Sequence, residues 1–202
     1  MRRTASRRTT APRLVALCAI AAGSLGVGLA VAEGGDDALQ GGAVAQLRDT
    51  AGNEIGTARF LGRPRGPLRV TVDVSGLSPG FHGFHVHERG ECSAQFLGAG
   101  GHQHSGTQVH GSHDGDMPPL IVGADGTASA RFDIDGLTLT ELLDGAPGDG
   151  SAVIIHAGRD NLANVPTRYH SELAGAPASG PDMTTLATGD AGARVACGVV
   201  ER

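Results

Sequence analysis

Apolar and polar residues alternate along short stretches of residues 43–200, as expected for β-strands with one buried face. In residues 68–75, Val70, Val72 and Val74 share one face, whereas Thr71 points to the other. Short alternating or apolar runs separated by turn residues predict an all-β, antiparallel barrel or sandwich. Eight strands are predicted, at residues 43–47, 55–61, 68–75, 83–88, 120–123, 127–134, 152–156 and 194–200.

The segments between these runs differ in kind. Asp125-Gly126 predicts a hairpin turn, and residues 138–143 predict a short helical turn. Residues 89–118 and 159–193 are long, rich in glycine and too polar for core strands. Loops of this length in a compact domain usually carry function.

Residues 1–32 have the organisation of a signal peptide, with a basic head that contains no acidic residue. A 19-residue apolar run follows at residues 14–32 and ends in the cleavage pattern Ala30-Val31-Ala32. The mature domain is therefore expected to span residues 33–202 and to be exported to the periplasm, cell envelope or exterior. The alternative is an uncleaved anchor, since the run is just long enough to span a bilayer, and membrane association is expected only in that case.

Net charge and cysteine content are more informative when the predicted signal peptide, here called the leader, is left out. The 202-residue chain has a formal net charge of -5, and all 16 basic residues are arginine. Five of these arginines lie in the leader, so the mature domain carries 11 arginines against 21 acidic residues. This negative balance argues against nucleic-acid binding. Two cysteines remain, Cys92 and Cys197, and in an exported domain they favour a disulfide over free thiols.

Seven of the nine histidines lie between His82 and His113. His85 and His87 emerge on the same face of a predicted strand, about 7 Å apart, close enough to bind one metal ion. A lone His-x-His pair also occurs on ordinary surfaces, but His156, which closes another apolar run, points to the same chemistry. Sites made only of imidazoles suit copper.

A second set of ligands follows in the glycine-rich segment. His102, His110, His113 and Asp116 supply three imidazoles and one carboxylate, a complete tetrahedral set for zinc.

The residues that carry these patterns resemble the copper/zinc superoxide dismutases, in particular their exported bacterial branch. The resemblance covers almost all of the mature chain. It rests on residues 80–88 (GFHGFHVHE), 100–102 (GGH), 113–116 (HDGD), 155–158 (IHAG) and 192–199 (GARVACGV). It implies a flattened eight-stranded antiparallel Greek-key barrel with two long functional loops.

The resemblance also implies roles for individual residues. The implied copper ligands are His85, His87, His102 and His156. The implied zinc ligands are His102, His110, His113 and Asp116, so that His102 bridges the two metals. Asp160 matches the carboxylate that links a copper-ligand histidine to a zinc-ligand histidine, Cys92 and Cys197 match an intrachain disulfide, and Arg194 matches the active-site arginine.

The implied activity is dismutation of superoxide to dioxygen and hydrogen peroxide by a redox-cycling copper. His102 and Arg194 are the expected catalytic residues, His102 as a proton carrier and Arg194 as the docking charge for a small anion. Because the chain has no lysine, steering of the anion is expected from Arg194, aided by Arg159 or Arg168.

Two alternatives stay open. His110 and His113 are only three residues apart, closer than in many relatives, which leaves room for a copper-only dismutase. An exported copper-binding or copper-delivery protein would use the same barrel without turnover. The pattern does not distinguish a monomer from a homodimer.

Several polar residues near these motifs have plainer interpretations. His82 is expected to brace the barrel, and His104 to be a solvated loop residue, with zinc ligation as its alternative. His170 is expected on the surface, and Glu88 and Glu91 are expected to be solvated or bonded within turns.

Overall fold

The computed structural model describes residues 41–63, 66–144, 149–170 and 179–202; the predicted signal peptide lies outside these ranges. The described residues form nine strands: β1 (Gly42–Asp49), β2 (Glu54–Leu61), β3 (Leu68–Val74), β4 (Gly80–His82), β5 (Phe84–His87), β6 (Leu120–Val122), β7 (Ala128–Ile134), β8 (Ala152–His156) and β9 (Arg194–Glu201). They also form the helices α1 (Leu139–Asp144) and α2 (Met183–Thr188) and a 3-10 turn at Leu97–Ala99. Within these ranges, no helix has the length and apolar character needed to cross a membrane.

The strands form one curled antiparallel sheet that closes through a short ladder. Seven strands pair in the order β5-β8-β9-β1-β2-β3-β7, and β4 pairs with β6. Since β4 runs into β5 and β6 turns back into β7 at Asp125-Gly126, the short ladder connects the two edge strands of the large sheet. The prediction of an all-β antiparallel Greek-key barrel is confirmed.

The structure adds one strand to the eight predicted from the sequence. The predicted strand at residues 83–88 corresponds to β5, and the added strand, β4, comes just before it. The two are separated by Gly83 and pair with different strands. Neighbouring atoms leave no room for a side chain at Gly83, because a Cβ there would lie 2.6 Å from Cβ of Ala191. The backbone of Gly83 bonds to Gly158 and His156, both at 2.8 Å, which ties the break to the end of β8.

Strand β8 is buried on both faces, and this burial positions the candidate site. Val153 and Ile155 belong to the main core between the sheet faces. Ala152 and Ile154 pack on the other side against Phe96 and its neighbours from the segment 89–118. The predicted disulfide is confirmed: Cys92 and Cys197 are joined, with their Cα atoms 5.8 Å apart, and fasten this segment to β9.

Candidate metal centre

Four histidines converge at the junction of β5, β8 and the segment 89–118. His85 and His87 lie on β5, which pairs with β8, and His156 is the last residue of β8. His102 reaches them through an isolated bridge to His87. One nitrogen atom from each ring lies within 4.8 Å of the other three, and no ring residue is more than 3% exposed. We call these four residues the first set.

Each ring of the first set is oriented by a bond at one nitrogen. His87 Nδ1 donates to the carbonyl of Gly100, and His156 Nδ1 donates to the carbonyl of Gly192, both at 3.0 Å. His85 Nε2 lies 2.6 Å from a carboxylate oxygen of Asp160.

The other nitrogen of each ring is the one that could bind a metal ion. Within the described residues, His85 Nδ1, His87 Nε2, His102 Nε2 and His156 Nε2 are buried without a hydrogen-bond partner. Buried polar atoms are normally paired, so four convergent exceptions indicate a position that could hold a cation. The four nitrogen donors fit copper, and the family-implied ligands are the residues that meet here.

A second set of atoms crowds around the other side of the His102 ring. Oδ1 of Asp116 lies 2.9 Å from Nδ1 of His102, 3.1 Å from Nδ1 of His110 and 3.5 Å from Nδ1 of His113. Tetrahedral zinc with Zn–N bonds of about 2.0–2.1 Å separates its ligand atoms by roughly 3.3 Å. We call His102, His110, His113 and Asp116 the second set, and its donor atoms fit zinc.

Within the second set, the nitrogen of His113 lies farther from Oδ1 of Asp116 than the nitrogens of His102 and His110 do. The ligand atoms around Asp116 that all lie within 4.8 Å of one another come from His85, His102, His110 and Asp116, without His113. His85 is nevertheless committed elsewhere, because its Nε2 is held by Asp160 and its Nδ1 faces the first set. His113 Nδ1 is buried and has no hydrogen-bond partner within the described part of the chain, so it is the better candidate for the fourth ligand.

His102 belongs to both sets. Its Nε2 is one of the unpaired nitrogens of the first set, and its Nδ1 faces Asp116 in the second. A single imidazole therefore separates the two positions, as a metal-bridging histidine requires.

Asp160 connects the two sets from outside. Oδ2 lies 2.6 Å from His85 Nε2, and Oδ1 lies 2.7 Å from His110 Nε2. The backbone N–H of Leu162 also donates to Oδ1, at 2.6 Å. Burial alone would raise the pKa of Asp160, but the hydrogen bonds with His110 and His85 outweigh burial and hold the pKa well below its usual range.

Burial and hydrogen bonds to carboxylates together determine the charge of the histidines. It lowers the pKa of His85 to about 4 and of His156 to about 3, and it holds the pKa of His87 well below 6.5. These rings are neutral near pH 7, which is the form that binds metal. His110 differs, because its hydrogen bonds with Asp116 and Asp160 overcome burial and raise its pKa to about 9.

Arg194 stands beside the first set at the start of β9. Its guanidinium donates to the carbonyls of Phe96 and Gly100, both at 2.5 Å, and these two bonds fix its plane. It shares a cleft of about 420 Å³ with His102 and His156. The cleft therefore brings a fixed positive charge next to two histidines of the first set, which suits a small anion.

The remaining histidines and arginines take other positions. His82 is buried and braces the first set, since its Nδ1 lies 2.6 Å from the carbonyl oxygen of His156. His104 is exposed, with its ring centre 5.7 Å from that of His113. Arg159 and Arg168, expected to aid steering, are exposed and are not among the described residues that line the cleft.

Two features of the site were missed in the sequence. Helix α2 lies inside the segment predicted as a loop, and its Thr184 and Ala187 line the cleft. Glu88 accepts a hydrogen bond at 3.1 Å from the backbone N–H of Gly101, next to the residue that anchors Arg194. A short N-capped helix at Asp182 was detectable from sequence, whereas the contact of Glu88 was not.

Comparison with known proteins agrees with this geometry. Residues 54–200 match the family model described as copper/zinc superoxide dismutase. The Cu-Zn superoxide dismutase of Mycobacterium tuberculosis is 42% identical over 163 residues, which cover 74% of this chain and 65% of that protein. The extracellular Cu-Zn superoxide dismutase of Brugia pahangi is 33% identical over 164 residues, covering 78% of this chain and 74% of that protein.

A solved structure is also similar to this chain. A SOD-like protein from Bacillus subtilis is 28% identical, with a TM-score of 0.59 over 77% of this chain and 95% of its own. The family match spans most of the chain and includes every residue of both sets. The chain belongs to the copper/zinc superoxide dismutase family, whose cofactors are copper and zinc.

Proposed function

We propose that this protein is a superoxide dismutase, converting two superoxide ions and two protons into dioxygen and hydrogen peroxide. The observation that carries the proposal is the convergence of four unpaired, buried imidazole nitrogens beside the fixed guanidinium of Arg194. The family membership and the named dismutase relatives support it.

We assign copper to the first set and zinc to the second. Copper, when bound, supplies a centre that accepts one electron from a superoxide ion and returns one to the next. The chain contributes neutral imidazoles already oriented by Gly100, Gly192 and Asp160, so little reorganisation is needed on binding.

His102 and Arg194 have distinct roles in the proposed cycle. Arg194 attracts and orients each superoxide ion in the cleft. His102 Nε2 takes up a proton in one half of the cycle and gives it to the second superoxide in the other. The second set holds the ring through Nδ1, so the proton moves without rotation of the imidazole.

We also propose that the protein is exported. The leader at residues 1–32 has the sequence organisation of a signal peptide, and one relative is named an extracellular enzyme. We expect cleavage after Ala32, which N-terminal sequencing of the exported protein will detect.

The looser position of His113 favours one second candidate, a dismutase that works with copper alone. Metal analysis of the purified protein, combined with a superoxide-consumption assay, tests both. Activity with one copper and one zinc supports the main proposal, and full activity with copper and no zinc supports the second.

His85→Ala is the decisive variant. It removes a nitrogen from the first set and is expected to abolish activity, whereas His170→Ala, at an exposed position, is expected to leave it unchanged. Wild-type activity in His85→Ala would contradict the copper assignment. Copper binding by the wild type without superoxide consumption would indicate a copper carrier.

A further inference from the structure

One backbone carbonyl orients both functional halves of the site. The oxygen of Gly100 accepts from His87 Nδ1 at 3.0 Å and from Arg194 Nη2 at 2.5 Å. His87 belongs to the first set, and Arg194 supplies the charge of the cleft. A displacement of this carbonyl therefore moves a metal-facing ring and the anion-facing guanidinium together.

The position of Gly100 depends on Glu88, the residue that follows His87. The backbones of Glu88 and Gly101 are tied by an N–H to carbonyl bond of 3.1 Å. The Glu88 carboxylate adds a second tie by accepting from the Gly101 N–H, also at 3.1 Å.

Packing strengthens this connection. Gly100 has a φ of +75°, a conformation that favours glycine, and a Cβ there would lie 2.5 Å from Oε1 of Glu88. The Glu88 side chain thus occupies the space beside the α-carbon of Gly100. It restrains the segment both by a hydrogen bond and by contact.

We propose that Glu88 is a positioning residue for anion binding: its carboxylate holds Gly100–Gly101 so that the Gly100 carbonyl orients Arg194 and His87 together. The inference rests on the proposed function in taking superoxide as the natural anion. It concerns the anion site itself, which a non-reacting anion also tests.

Charge and positioning predict opposite effects at Glu88. A negative charge one residue from His87 repels an anion, so removal of the charge alone strengthens anion binding. Loss of the acceptor oxygen removes one of the two hydrogen bonds between Glu88 and Gly101 and weakens anion binding, since the Gly100 carbonyl then holds the guanidinium of Arg194 less firmly. Glu88→Gln removes the charge and keeps an acceptor oxygen, whereas Glu88→Ala removes both.

The test uses the copper-loaded protein and azide, a small anion whose binding to Cu(II) is followed by absorbance. Glu88→Gln is expected to bind azide at least as tightly as the wild type, and Glu88→Ala at least about threefold more weakly than Glu88→Gln. The Cu(II) electron paramagnetic resonance spectrum is expected to change in Glu88→Ala, because the His87 ring moves. Equal azide affinity in the two variants would overturn the proposal.

Two further variants keep the test decisive. Glu91→Ala removes a nearby acid whose carboxylate, among the described residues, accepts a hydrogen bond from Ser93 and lies beside Gly98 instead of Gly100, and this variant is expected to keep the wild-type spectrum. Glu88→Asp keeps the charge but withdraws the oxygen by one methylene, so weaker azide binding than in the wild type is expected even if Glu88→Ala fails to fold. Wild-type azide affinity in Glu88→Asp would overturn the proposal. Because azide does not turn over, the ordering of affinities is independent of whether superoxide is the substrate.

Discussion

His85 and His110 are joined through one carboxylate: the two oxygens of Asp160 lie 2.6 Å and 2.7 Å from their Nε2 atoms. Both rings are thereby held with Nδ1 turned inward, His85 toward the first set and His110 toward the second. The two candidate metal positions therefore share a support outside their common ligand His102.

Asp160→Asn is expected to weaken binding at both positions, because an amide cannot accept from both imidazoles as a carboxylate does. Loss of such an outer partner typically costs about 10–100-fold in metal affinity. Competition with chelators of known affinity measures the change for each metal. Asp73→Asn, at a surface residue that bonds to Ser129, provides a matched control. Unchanged affinity for both metals would contradict a supporting role for Asp160.

Asp116→Ala is expected to lower zinc retention and leave copper binding largely intact. Oδ1 of Asp116 faces the second set, and Oδ2 accepts from the backbone N–H groups of Gly111 and His113 at 2.7 and 3.0 Å. The variant thus removes a ligand and loosens the segment that carries another. Metal content after dialysis tests this expectation, and equal loss of copper and zinc would show that the two sets are not separable.

The hydrophobic pattern located eight strands because each has at least one buried face. It missed β4, since Gly80–His82 is only three residues long and its central residue, Phe81, is exposed. Helix α2 was missed for a similar reason. Its six residues are too few for an apolar stripe, and only the Asp182 cap, which accepts from the N–H of Thr185 at 2.9 Å, marks its start.

The candidate ligands could be listed from residue type and spacing, because metal binding restricts the chemistry to histidine and carboxylate in compact motifs. Glu88 could not be identified in this way. A glutamate beside a strand histidine has the pattern of a solvated residue, and its contact with Gly101 exists only because the segment 99–101 folds back onto β5. Contacts between distant backbone segments have no local sequence pattern.

The metal-free protein is expected to be most stable near pH 7, where the folded and unfolded chains bind about equal numbers of protons at these histidines. His85, His87 and His156 have lowered pKa values, so below 6.5 the unfolded chain binds protons that the folded chain excludes, and the free energy of unfolding falls toward pH 4. His110 has a pKa raised to about 9, so its stabilisation is complete below 6.5 and is lost as the pH rises through 9.

Denaturant unfolding of the metal-free protein at pH 5, 7 and 8.5 measures this profile. The acid side is expected to be steeper, because three histidines with lowered pKa values contribute there, whereas His110 is the one described histidine with a raised pKa. His110→Asn should abolish the decline between pH 7 and 8.5. A steady rise in stability from pH 5 to 8.5 would contradict the assignment of these pKa shifts.

Removal of the disulfide is expected to destabilise the protein strongly. The bond between Cys92 and Cys197 spans 105 residues, and closing a loop of that length lowers the entropy of the unfolded chain by the equivalent of about 4–5 kcal/mol. Denaturant unfolding of Cys92→Ala/Cys197→Ala against the oxidised wild type measures the loss. Two free thiols in the unreduced, unfolded wild type would refute the bond itself.

Arg194 separates an enzyme from a passive copper binder. In a protein that only carries copper, a positive charge beside the metal opposes loading, whereas in a dismutase it speeds the approach of each superoxide ion. Arg194→Glu is expected to lower the second-order rate at least about tenfold, equivalent to at least about 1.4 kcal/mol, with normal copper content. Arg194→Lys is expected to be milder, because it keeps the charge, but a single ammonium cannot reproduce the planar pair of bonds to Phe96 and Gly100.

Salt provides the discriminating measurement for Arg194. The wild-type rate is expected to fall as ionic strength rises, because screening weakens the attraction between the guanidinium and the anion. The rate of Arg194→Glu is expected to fall less or to rise, since the same screening now hides a repulsive charge. A change of folding or copper content alone would scale the rate without altering this dependence. Equal rates for the wild type and Arg194→Glu at every ionic strength would remove the case for an anion-guided enzyme and favour the copper-carrier alternative.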